Sequence, residues 1–98
     1  MSSKELYEQT KQTQLNEWKM GMILFRTRSF AARTNVQVEL NQHVKMLESK
    51  LEEGRNKLAE LNKTTGSNFE STKKSFEETW DSIVIAFEDA SVRFKATA

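Results

Sequence analysis

His43 is the single histidine of the chain, and Glu39 precedes it by four residues. On a helix the two side chains reach the same face, where a carboxylate and an imidazole could hold a metal ion. Carboxylate-bridged di-iron bundles, however, space Glu and His three apart and repeat the motif on a second helix. Here the spacing is four and there is no second histidine, so a metal would need a symmetric partner chain. Glu39 and His43 therefore read as an ordinary helix pair, and no metal or other cofactor is expected. Nucleophilic catalysis has no better footing, since no motif joins a Ser, Thr or Lys to a histidine base and no Gly-rich loop cradles phosphate. The expectation is a non-enzymatic protein with no catalytic, cofactor-binding or metal residues.

The segment Phe25-Arg26-Thr27-Arg28-Ser29-Phe30-Ala31-Ala32-Arg33 interleaves three arginines with two aromatics, the pattern of a short nucleic-acid patch. On a helix Phe25 joins the apolar stripe and the arginines are solvated. The chain as a whole carries 15 basic and 14 acidic side chains, so bulk charge attracts no polyanion. Nucleic acid is accordingly not expected as a partner. A membrane surface is not expected either: the last third places Glu70, Glu77, Glu78, Asp81, Glu88 and Asp89 on the polar face of its helix, where anionic lipid repels them. The longest apolar block, Met20 to Phe25, is far shorter than the roughly 20 residues of a membrane span. With a charged start and no apolar signal region, the chain reads as soluble and cytoplasmic.

These side chains need elements to hold them, and the composition restricts which. Of 98 residues, 37% are apolar and 30% charged, with no proline, no cysteine and three glycines. Disulfide-stapled, collagen-like and turn-rich β classes are excluded, and the length allows one domain spanning 1–98. The one loop-like stretch is 62–68, where Gly66 suits a left-handed helix end and Ser67 with Glu70 forms a capping box. A second capping box, Ser2 with Glu5, starts a helix near Ser3.

After the turn, Phe69, Lys73, Phe76, Trp80, Ile83, Phe87, Ala90 and Phe94 recur at steps of four and three, which predicts an amphipathic helix over about 68–95. Before it the same rhythm runs back through Leu61, Leu58, Gly54, Leu51, Leu47 and Val44, then on through Leu40, Val36, Ala32, Ser29, Phe25, Met22, Trp18 and Leu15. Gly54 sits on this seam, where its missing side chain lets a bulky residue approach. Because the phase never resets, the leading expectation is an all-α antiparallel hairpin: one helix from about 3 to 65, a turn near 64–68 and a returning helix. Between Ser29 and Val44 three consecutive steps of four would locally straighten the supercoil. The alternative is a three-helix bundle with a break near 33–35, where Thr34 and Gln37 could act as a capping box and Asn35 could close the preceding helix. A corner with neither Gly nor Pro counts against it.

Gln14-Leu15-Asn16-Glu17-Trp18, Lys57-Leu58-Ala59-Glu60-Leu61, Phe69-Glu70, Glu78-Thr79-Trp80-Asp81-Ser82-Ile83 and Ala90-Ser91-Val92-Arg93-Phe94-Lys95 together resemble a family of small, uncharacterised bacterial coiled-coil proteins. The resemblance covers nearly the whole chain. It implies a helical hairpin without enzymatic activity and brings no assigned function.

In the hairpin a returning helix of about 27 residues covers only about 38–65 and leaves Leu15, Trp18, Met22 and Phe25 bare. The chain is then expected to self-associate, as a dimer by preference, through its apolar stripes: Leu15, Trp18, Met22, Phe25, Val36, Phe76, Trp80, Ile83, Phe87 and Phe94. Two antiparallel arms would cross near residues 20 to 22. The alternative is an adaptor or chaperone-like module that captures a helix of a different protein on the same arm.

Overall fold

The chain begins its first helix where the sequence signals it. Ser2 Oγ accepts the Glu5 backbone N–H at 3.1 Å, satisfying one of the donors that a helix start leaves open. The structure, a computed structural model, describes residues 2–96 and folds them into three helices: α1 (Ser3–Ala31), α2 (Thr34–Lys63) and α3 (Asn68–Ala96). Residues 1, 97 and 98 of the expected 1–98 domain lie outside the described residues.

The long helix expected over 3–65 is thus two helices, and the three-helix alternative is the architecture found. The corner consists of Ala32 (φ −75°, ψ 160°) and Arg33 (φ −61°, ψ 150°), one position earlier than the 33–35 break the sequence suggests. Both are extended conformations at negative φ, open to any residue, so the corner needs neither glycine nor proline. Arg33 rather than Thr34 is the N-cap of α2, and it caps without its side chain. Asn35 lies inside α2. Gln37 does not close a capping box; its Nε2 reaches back to the Phe30 carbonyl at 3.1 Å and satisfies an open acceptor at the end of α1. The three steps of four from Ser29 to Val44 therefore span a corner and not a straightened coil.

The second corner falls where expected. Gly66 has φ +68°, the left-handed conformation that favours glycine, and its carbonyl accepts the Phe69 N–H at 3.2 Å. Thr64 Oγ1 donates to the Glu60 carbonyl and Ser71 Oγ to the Asn68 carbonyl, while Ser67 and Glu70 are exposed.

The three helices run up, down and up in a body of 52 × 22 × 17 Å. Leu15, Met22 and Phe25 of α1, Leu40, Val44, Leu47, Leu58 and Leu61 of α2, and Phe76, Trp80, Ile83, Phe87 and Phe94 of α3 form one continuous core. Trp18 and Val36 pack against it half-buried. The stretch before residue 38 that the hairpin would leave uncovered is not bare, because α3 lies along α1. The burial that a lone hairpin would forgo at Leu15, Trp18, Met22 and Phe25, about 8 kcal/mol at about 2 kcal/mol per side chain, is made within one chain.

Candidate interaction surface

Seven aromatic rings link α1 to α3 in an unbroken column. Tyr7 meets Phe76 edge-on at 6.1 Å, Phe76 lies 4.8 Å from Trp80, and Trp80 lies 4.9 Å from Trp18. Trp18 then stacks on Phe87 at 5.4 Å, and Phe25 bridges Phe87 and Phe94 at 6.0 and 4.6 Å. The polar tips are satisfied across the same seam: Trp80 Nε1 donates to Gln14 Oε1 at 2.6 Å and the Tyr7 hydroxyl to Glu77 Oε1 at 2.9 Å. Burial, followed by the Glu77 carboxylate, pushes the Tyr7 hydroxyl pKa well above its ordinary value. The aromatic residues that the sequence marks for contact between chains therefore hold one chain together.

The residues with chemical potential are dispersed. His43 is half-exposed, and Glu39 faces α3, where its carboxylate lies 3.8 Å from Arg93. Among the described residues no three His, Cys, Asp or Glu side chains gather as metal ligands would. In the arginine segment Phe25 is buried, Arg26 pairs with Glu48 at 3.0 Å, and Arg28 and Arg33 are exposed. The bases that nucleic acid would need to stack have Phe30 alone of its two aromatics to meet. Among the described residues no helix is long and apolar enough to cross a membrane.

A further surface lies on the side of α1 away from the inner stripe. At about 100° per residue, Leu6, Thr13, Met20 and Thr27 fall on one line along α1, opposite Met22 and Ser29, and Leu24 and Ala31 lie within about 40° of it. Ile23 and Phe30 flank it. Met20, Ile23, Leu24 and Phe30 are 71%, 61%, 50% and 84% exposed. Between Leu6 and Ala31, Glu17 is the only charged residue within about 60° of the line. A solvated helix face normally carries charge; this one is as poor in charge as a seam.

The hydroxyls on this face are already occupied. Thr13 Oγ1 donates to the Gln9 carbonyl at 3.0 Å and Thr27 Oγ1 to the Ile23 carbonyl at 2.9 Å, so the one donor of each hydroxyl is already used within the helix. Gln12 Nε2 likewise donates to Asn16 Oδ1 at 3.1 Å. The sequence signal for this face is the seven-residue recurrence Leu6, Thr13, Met20, Thr27, masked by the stronger inner stripe three and four residues away. The block Met20 to Phe25 is apolar on nearly every side, with Met22 and Phe25 in the core and Met20, Ile23 and Leu24 exposed.

No family model, no curated protein and no solved structure matches the chain.

Proposed function

We propose that this chain is a non-enzymatic helical interaction protein that self-associates through the outward face of α1. The observation that carries the reading is the exposed, nearly uncharged line through Leu6, Thr13, Met20, Leu24, Thr27 and Ala31, set opposite a core that is already complete. Met20, Ile23, Leu24 and Phe30 together expose roughly 500 Å² per chain, at the upper end of what a monomer's largest patch shows. Two such faces in contact bury at most about 1,000 Å² from these four side chains, the lower limit for a specific interface. The site moves from the inner residues Leu15, Trp18, Met22 and Phe25 to the outer ones one to two positions away.

Light scattering and sedimentation at micromolar to high micromolar concentration test it. The expected species is a dimer. Met20→Asp is expected to give a monomer of unchanged helix content, whereas Met22→Asp places an unpaired charge in the core and is expected to unfold the bundle. A wild-type protein that stays monomeric at the highest concentration overturns the proposal, as does a Met20→Asp variant that dimerises like the wild type.

A further inference from the structure

Resting on that self-association, we infer that two copies pair α1 with α1 antiparallel, with the two-fold axis crossing near residue 22 and Glu17 of each copy beside Arg28 of the other. The first support is charge placement. Glu17 and Arg28 lie about 60° and 80° to the same side of the Met20 line, 11 residues apart. Both are exposed, and neither makes an ion pair among the described residues.

Symmetry then selects the orientation. A two-fold axis perpendicular to two helices reverses their direction but keeps each flank on its own side, so the flank bearing Glu17 and Arg28 meets the same flank of the other copy. With the axis at residue 22, Glu17 stands beside Arg28, one residue past the position directly opposite it, twice over. A parallel pair rotates about an axis along the helices and brings opposite flanks together. That sets Glu17 near Gln12 and Arg28 near Ile23, with no charge satisfied.

The same register completes the layers. With facing residues summing to 44, Met20 meets Leu24, Thr13 meets Ala31 and Glu17 passes Thr27 to reach Arg28, each layer repeated by symmetry. The threonine hydroxyls that enter these layers are those already bonded to their own backbone. On the other flank Ile23, Phe30, Asn16 and Gln12 meet without a charge. Lys19 and Arg26 lie further round toward α2, where Arg26 is engaged by Glu48.

The chain has no cysteine, so introduced thiols report the register directly. Thr13→Cys and Ala31→Cys are each prepared, confirmed as dimers by light scattering, and oxidised alone and after mixing. In the antiparallel register two copies of residue 13 stand about 27 Å apart, and so cannot join. The expected result is a disulfide dimer only in the mixture. In parallel, Glu17→Arg is expected to weaken dimerisation about tenfold and Glu17→Arg with Arg28→Glu to restore it. Thr13→Cys joining to itself, or a dimer that joins in no combination, overturns the register while leaving self-association in place. A monomeric wild type overturns both.

Discussion

The indole Nε1 of Trp80 donates to Gln14 Oε1 at 2.6 Å, tying α3 to α1 across 66 residues of chain. Trp80 is buried, so its N–H has no water to turn to, and Gln14 is the side chain that permits its burial. Gln14→Leu is expected to lower unfolding free energy by about 1–3 kcal/mol, read by urea denaturation. An unchanged midpoint would show that α3 does not lie along α1 in this register.

Thr34 opens α2 and follows a residue at φ −61° and ψ 150°, the conformation that a following proline requires. Thr34→Pro is expected to be neutral or to stabilise by up to about 1 kcal/mol, since the first helical position tolerates proline. In one continuous helix from 3 to 65 the same change would cost about 3 kcal/mol. Thermal unfolding of this one variant separates the two architectures.

A Cβ placed on Gly54 would lie 2.6 Å from Ile83 Cδ1 and 3.4 Å from Trp80 Cζ3. Gly54→Leu is expected to destabilise by about 1–3 kcal/mol through overpacking, despite the better helix propensity of leucine. Combining it with Ile83→Ala should recover part of the loss, because the space vacated is the space demanded. Failure of the second change to compensate, measured by a double-mutant cycle, would mean that the two positions do not touch.

Tyr7 is the single tyrosine, so tyrosinate absorbance reports it without assignment. Its folded pKa is raised above the ordinary 10.0 by burial first and by Glu77 second, so above about pH 10 the unfolded chain loses this proton before the folded one does. The contribution of Tyr7 to stability is therefore complete below that pH and declines as pH rises beyond it. Tyr7→Phe should remove this part of the alkaline loss. Titration at the ordinary value in the folded protein would contradict the contact with Glu77.

The sequence by itself determined the helical class, the Ser2 start, the left-handed Gly66 corner, the membership of the inner stripe and the close approach at Gly54. All are local or periodic properties, and each is written in residue type and spacing. It did not determine where the first long stretch turns. Ala32 and Arg33 leave the helix through conformations that any residue adopts, and the stripe keeps its phase because each helix must face the same core. Periodicity records which side of a helix is buried and carries no trace of a corner that preserves that side. Only the tertiary structure decided that α3 packs on Trp18 and Phe25 and that Met22 is buried, while Met20, Ile23 and Leu24 remain outside. Within an all-apolar block, the choice between inside and outside belongs to the neighbouring helices and not to the residues.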